Sequence, residues 1–401
     1  MELLQDKLDV IQKKRSNLFN WRGQFTPELV EYLLSFFVKA ADLVIDPFSG
    51  SGTVLQESAR KNIFAEGFEI NPSAYAMSQF FTFANLNINQ RIELVNNFEL
   101  KLNDILPAFK DKKNYQNYSD YRQAYSNLIN FGKSFQSGLS KSEKILMLNS
   151  LFLSERDKNL TVKQSLCKSF YYIKNALLGL PYASSTIKAN LADARKIHQK
   201  IPQQADLILT SPPYINVFNY HQNYRGLVEI FNFDILKIAD SELGSNRKNR
   251  GNRFKTVVQY SLDMEEALRS FWSALKPNAT LVLILGRQSK VRNTVFYNSK
   301  IVMDIIEGIN GFEQTNTLER KFTNKFGNNI KEDILIYKKV NALNQAICGK
   351  SVALKHLNSN LSIVSQDIKK DIVNVINNID TILPSPIFNL NDVIIHAENS
   401  T

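Results

Sequence analysis

Apolar positions along this chain fall into two periods. Between 26 and 38 they recur at helical spacing: Leu29, Leu33, Phe36 and Phe37 make a stripe, Thr26 stands where a cap belongs, and Pro27 fits the first helical position. The apolar run Leu43-Val44-Ile45 then predicts a short strand. It runs into Asp46-Pro47-Phe48-Ser49-Gly50-Ser51-Gly52-Thr53 and a further helix, and Ile63 to Phe68 reads as a second strand ending at Glu69. Strand, helix and strand in alternation predict a parallel sheet with crossover helices.

From about Asn85 to Ser185 helices and polar loops replace that rhythm. Ser140 with Glu143 fits a capping box, and Val162, Leu166, Phe170, Ile173 and Leu177 mark a helix that Gly179 and Pro181 stop. Residues 85–185 are read as a helical insertion and a candidate target-recognition region. Strands return at 186–189, 205–209, 281–285 and 333–337. The expected fold is α/β, with 1–84 and 186–340 forming one sheet domain, and 341–401 is read as a C-terminal arm with no assigned role.

Composition refines this picture. With 401 residues, 44% of them hydrophobic, the chain can bury a substantial core. It contains no run of eighteen apolar residues, and its start, MELLQDKLDVIQKKR, lacks an apolar signal core, so no membrane span and a cytoplasmic location are expected. The net charge of +11 suits a polyanionic partner. The two cysteines and four histidines show no metal-ligand spacing, so no structural metal is expected. Cys167 sits in an amphipathic helical pattern and is expected to be buried.

Three segments carry candidate chemistry. In the loop from Asp46 to Thr53, Gly50 and Gly52 permit positive φ and close approach to a ligand, while the next helix presents free N–H groups. Taken alone, such a loop fits several nucleotide-binding classes or a tight turn, but no Gly-Lys-Ser/Thr follows, so it is not a P-loop. Glu69, at a strand end, suits a pair of ribose hydroxyls, because a carboxylate accepts from both; a solvated cap before Asn71-Pro72 is the plainer alternative. Thr210-Ser211-Pro212-Pro213-Tyr214 is the most specific: two prolines stiffen the segment, its carbonyls stay free to accept from an amine, and Tyr214 offers a face for stacking a base.

DPFSGSGT followed by TSPPY resembles the amino-methyltransferase family of DNA modification enzymes over roughly residues 20–85 and 186–340. The resemblance implies a Rossmann-like sheet and S-adenosylmethionine as cofactor. It implies that Phe25, Thr26 and Pro27 hold the methionine end, that Asp46, Phe48, Gly50, Gly52 and Thr53 form the cofactor loop, that Glu69 binds ribose, and that Asp193 contacts the adenine amino group. Ser211, Pro212, Pro213 and Tyr214 match the catalytic tetrapeptide, and serine in its first place points to N4 of cytosine over N6 of adenine. Methylation at cytosine carbon 5 needs a thiolate, and neither Cys167 nor Cys348 follows a proline in a strand-end loop.

Duplex DNA is therefore the expected partner, with a cognate restriction endonuclease acting on the same sequence as a second. Arg247, Lys248, Arg250, Arg253 and Lys255 form a basic stretch without an acid and are the candidate DNA contacts. An RNA or tRNA amino-methyltransferase and an inactive DNA-binding subunit are the rival readings.

Overall fold

The computed structural model describes residues 3–11, 13–108, 118–155, 160–215, 219–245, 249, 251–323, 327–340 and 342–393. The chain opens with α1 (Gln5–Asp9), α2 (Pro27–Phe37), β1 (Leu43–Asp46), α3 (Thr53–Arg60), β2 (Phe64–Glu69) and α4 (Pro72–Phe80). Four long helices follow: α5 (Ile88–Ile105), α6 (Tyr118–Phe135), α7 (Lys141–Ser154) and α8 (Val162–Leu178). Next come β3 (Ile187–Leu191), β4 (Ala205–Thr210), the short α9 (Arg225–Glu229) and α10 (Ile235–Ala239), α11 (Lys255–Ala274) and β5 (Leu275–Gly286). The hairpin β6 (Gln288–Val291) and β7 (Thr294–Tyr297), α12 (Asn298–Ile309), β8 (Phe312–Thr323), β9 (Asn329–Lys339), α13 (Gly349–Asn358) and α14 (Gln366–Asn377) complete the core.

Seven strands form one sheet in the order β3-β2-β1-β4-β5-β9-β8. All pairs among β3, β2, β1, β4 and β5 are parallel, and β9 runs antiparallel to both neighbours. This is a Rossmann-like α/β sheet. Successive strand residues alternate between its faces. Val44, Leu207, Leu209, Val282, Ile284, Ile334 and Ile336 pack against Leu29, Leu33 and Leu34 of α2. Ile45, Ile208, Leu281, Leu283, Leu285 and Leu335 pack against α11 and α12. Both faces are covered, so β1 is buried at all four positions and its first three, Leu43-Val44-Ile45, read as an unbroken apolar run.

The stripe on α2 differs from the expected one. Leu29, Val30, Leu33 and Leu34 are fully buried, while Phe36 and Phe37 are half-exposed at the helix end, where the sheet no longer covers them. The Thr26 side chain does not cap the helix; its hydroxyl accepts from Arg320 at 2.8 Å.

Helices α5 to α8 share one apolar cluster with Ala74, Met77, Phe80 and Phe83 of the α4 region. Asn85 fastens their base: its amide donates to the Ala183 and Ser185 carbonyls and its oxygen accepts from Ile187 N. Buried Arg91 adds bonds to the carbonyls of Phe83, Ala84, Leu180 and Pro181. Each end of the segment is therefore tied to the other by buried polar bonds, which are costly to break. The Ser140–Glu143 capping box is formed, and α8 ends at Leu178 with Gly179 as its cap. Cys167 departs from expectation and is exposed, because it follows Leu166 onto the outer face of α8.

Residues after 341 are laced into the core. Helix α13 packs on α11. Beyond α14 the chain meets a buried guanidinium. Arg195 donates to both oxygens of Asp193, to Asp263, and to the carbonyls of Ser385 and Pro386. All five guanidinium N–H directions thus find an acceptor. No helix among the described residues is long and apolar enough to cross a membrane.

Candidate functional site

Chain direction reverses across the sheet between β1 and β4: β1 leads by crossover to β2 on one side, β4 to β5 on the other. Such a switch point leaves a crevice at the carboxyl ends of the two strands. A cavity of about 830 Å³, its mouth included, lies there. Its wall contains Phe25, Asp46, Phe48, Gly50 and Thr53, with Glu69 from the end of β2, Asp193 from beyond β3, and Ser211 and Pro213 from the end of β4. Residues far apart in sequence thus meet because parallel strands end on one edge.

The loop after β1 is built by its own polar groups. Asp46 Oδ1 accepts from Phe48 N at 3.1 Å and from the Thr210 hydroxyl at 2.6 Å, tying the ends of β1 and β4. Burial pushes the Asp46 carboxyl up to about 7, the two hydrogen bonds opposing that rise. Glu69 accepts from Gly50 N at 3.0 Å and Asn71 N at 2.9 Å, and burial holds it also up to about 7. Gly50 and Gly52 have φ of +49° and +89°. Gly52 is required by packing as well: a Cβ there would fall 2.8 Å from Ser78 Cα. Thr53 starts α3 and donates to Asn17.

Asp193 reaches the cavity wall with its carboxylate largely engaged. Besides Arg195 it accepts from the backbone N–H groups of Arg195 and Phe388. The residue expected to contact the adenine amino group thus stands in the cavity wall and also anchors a buried ion pair. Thr26 and Pro27 lie beside this cavity rather than in its wall, whereas Phe25 does line it. Thr26 borders an adjoining open groove.

Tyr214 is packed against Gly286 at the end of β5, where an added Cβ would fall 2.8 Å from its Cε2. Its hydroxyl lies beside the Ser211 side chain and the Gly286 backbone. Burial, with the nearby Glu332 charge, raises it above the ordinary phenol value. Pro212 is buried. Tyr214 does not line the cavity, so the ring and the cavity are neighbouring but separate.

Several wall residues carry no local sequence signal. Trp21 stacks on Tyr220 with ring centres 5.9 Å apart, and Gln24, Asn71, Glu242 and Leu243 complete the wall. Of the basic stretch, Arg247, Lys248 and Arg250 lie outside the described residues; Arg253 is exposed and Lys255 begins α11.

Comparison with known proteins supplies the remaining observation. Residues 7–80 match the family described as DNA methylase. That match, with the partial relative that follows, supports the amino-methyltransferase family for this segment of the chain. A relative, the type II methyltransferase M.MjaII of Methanocaldococcus jannaschii, is 42% identical over 52 residues, covering 13% of this chain and 10% of its own length. This chain thus spans about a tenth of the curated relative it matches. Among solved structures, a SAM-dependent methyltransferase from Methanosarcina mazei is 10% identical, with 77% of this chain and 97% of that chain covered and a TM-score of 0.34. TrmN from Thermus thermophilus is 14% identical, with coverage of 80% and 50% and a TM-score of 0.32.

Proposed function

We propose that this chain transfers a methyl group from S-adenosylmethionine to the exocyclic N4 of cytosine in duplex DNA, in a restriction-modification pair with a nuclease acting on the same sequence. The observation that carries the reading is the meeting of the Asp46–Thr53 loop, Glu69 and the Ser211–Pro213 segment around one cavity, with Tyr214 just beyond it. The cavity fits the cofactor chemically. Glu69 keeps a lone pair on each oxygen for hydroxyl groups, and the half-open Trp21–Phe25 wall can take an apolar chain. The matched type II methyltransferase supports DNA as the substrate. Serine at position 211 favours cytosine.

The cofactor supplies an electrophilic methyl group. The chain's own residues orient the acceptor. Extrusion of the base from the stack gives it access to the site. Tyr214 holds the base face, while the Ser211 side chain and the Pro212 carbonyl hold the amino hydrogens and turn the nitrogen lone pair toward the cavity. Orientation of this kind, with charges fixed in advance, provides most of the acceleration. Arg253, Lys255 and the basic stretch before them contact phosphates.

The test is methyl incorporation from labelled cofactor into duplex DNA and into tRNA, with the modified base identified by mass spectrometry. N4-methylcytosine in DNA is expected. N6-methyladenine alone would overturn the base assignment, and label only in tRNA would overturn the substrate. Tyr214→Ala is expected to reduce methylation by about 5- to 150-fold with cofactor affinity unchanged, since stacking contributes about 1–3 kcal/mol per base. Full activity in both Tyr214→Ala and Ser211→Ala would remove this active site.

A further inference from the structure

The hairpin of β6 and β7 stands beside the site, and the reading above gives it no task. Strand β5 runs parallel to β4, so both end on the edge where the cavity opens, and the hairpin begins two residues past the end of β5. Its place is fixed to the catalytic segment. Asn298, fully buried at the start of α12, donates to the Gly286 carbonyl at 2.9 Å, accepts from Ile215 N at 3.4 Å and shares a hydrogen bond with the Ser289 hydroxyl of β6. The Tyr214 ring packs on Gly286, and Ile215 follows that tyrosine in the chain, so one side chain couples hairpin and catalytic segment.

The two faces of the hairpin differ, because successive strand residues point to opposite sides. Ser289, Val291, Thr294 and Phe296 are buried, and Phe296 meets Phe254 with ring centres 6.2 Å apart. On the other face Gln288, Lys290 and Tyr297 are exposed, Gln288 opposite Tyr297 in the pairing register. Arg292 and Asn293, both exposed, join the strands with φ of +48° and +66°, the two positive values that a type I′ turn needs. Glycine, asparagine and aspartate dominate such turns, yet a long cation takes the first place here.

Charge along this segment has one sign. From Arg287 to Met303 the chain carries four cations and no acid. Arg287 is bound to Asp333 and Glu319, and Lys300 lies over the Tyr297 ring at 5.5 Å. Arg292 pairs with Asp371 of α14, both partly exposed. The Asp371 carbonyl also accepts from Asn252, so the tip lies next to the segment that carries Arg253. Cations of the hairpin and of 253–255 therefore share one surface, although α11 and β5 separate them in the chain.

We propose that the β6–β7 hairpin contacts the phosphates of the duplex that holds the target base, Lys290 from its outer face and Arg292 from its tip. The inference rests on the DNA reading above. A base that leaves the stack to reach Tyr214 requires its duplex to lie over this edge of the sheet, and the hairpin begins at that edge. A phosphate replaces Asp371 as the partner of Arg292, since an ion pair between exposed groups is weak enough to exchange.

The test is binding of the full chain, with S-adenosylhomocysteine present, to a mixed-sequence DNA duplex by fluorescence anisotropy between about 50 and 200 mM salt. Each phosphate contact contributes about 0.9 to the slope of log K against log salt. Lys290→Gln combined with Arg292→Gln should remove about 1.8 from that slope, so that across this range the native chain loses about twelvefold more affinity than the double variant. Lys290→Gln alone, expected to remove about 0.9, serves where the double variant melts early. Asp371→Asn should bind the duplex more tightly than the native chain, because it releases Arg292 and removes an acid. Were Arg292 only a brace for the hairpin, loss of its partner would weaken binding instead. An unchanged slope in the lysine and arginine variants, no gain from Asp371→Asn, or a slope reduced on tRNA alone would overturn the proposal. A native chain without measurable duplex binding would refute the DNA reading itself, so the two failures are distinguishable.

Discussion

The two glycines of the loop after β1 offer a comparison that separates folding from binding. Gly50 has φ of +49°, inside the left-handed well, where an alanine costs about 1–2 kcal/mol over glycine. A Cβ there would meet Trp21 Cδ1 at 3.2 Å, a contact that a shift of a few tenths of an ångström relieves. Trp21 lines the cavity, and the Gly50 N–H orients Glu69, so that shift is transmitted to the binding wall. Gly52, with φ of +89°, is left-handed as well. Its added Cβ would sit 2.8 Å from Ser78 Cα and from Phe81 Cδ2, and the first of these is backbone. Overpacking of about 1–3 kcal/mol then adds to the conformational cost, for a total of about 2–5 kcal/mol. Gly52→Ala should therefore lower the unfolding midpoint well below that of Gly50→Ala. Gly50→Ala should fold and bind S-adenosylhomocysteine at least tenfold more weakly. Chemical denaturation and calorimetry on both variants read the two quantities. Equal destabilisation by both substitutions, or native affinity in Gly50→Ala, would refute the reasoning.

Two further outcomes follow from buried charge. Asp46 and Glu69 are raised by burial to about 7, so their contribution to folding is fully present below the unfolded carboxylate range and is lost as pH rises through 7. The ligand-free melting temperature of the native chain should accordingly fall between pH 5 and 8 relative to Glu69→Gln, while the shift produced by S-adenosylhomocysteine grows, because the ionised Glu69 is the better acceptor; parallel curves for the two proteins would contradict this. Arg195→Met would leave Asp193 and Asp263 buried without their cation, a loss of about 3–5 kcal/mol, and should release the segment around 385–388 to proteolysis before the rest unfolds; an unchanged denaturation midpoint would count against the ion-pair assignment.

Local chemistry determined much of this molecule. The run Leu43-Val44-Ile45, the glycines after it, the Ser140–Glu143 cap and the stop at Gly179 each act within a few residues, so a single stretch of sequence states them. The glycine-bearing loop after β1, Glu69 and the Ser211–Tyr214 segment could be picked out for the same reason, since each is a short motif at a strand end. The hairpin of β6 and β7 and the long edge strand β8 were not, because their half-exposed residues give no continuous apolar run.

Tertiary structure alone decided the rest. Gly286 supports Tyr214 only because β5 lies beside β4, and Glu242 meets His221 and Asn71 only because a chain segment returns to the cavity. Asp193 became an ion-pair anchor through Arg195, whose partners at 263, 385 and 386 are set by the docking of the C-terminal segment. Cys167 was placed on the outer face of α8 by the register of that helix against its neighbours, which its period narrows but does not fix. Contacts between distant residues leave no repeating mark in a sequence, and only packing around one sheet edge brings them within a few ångströms.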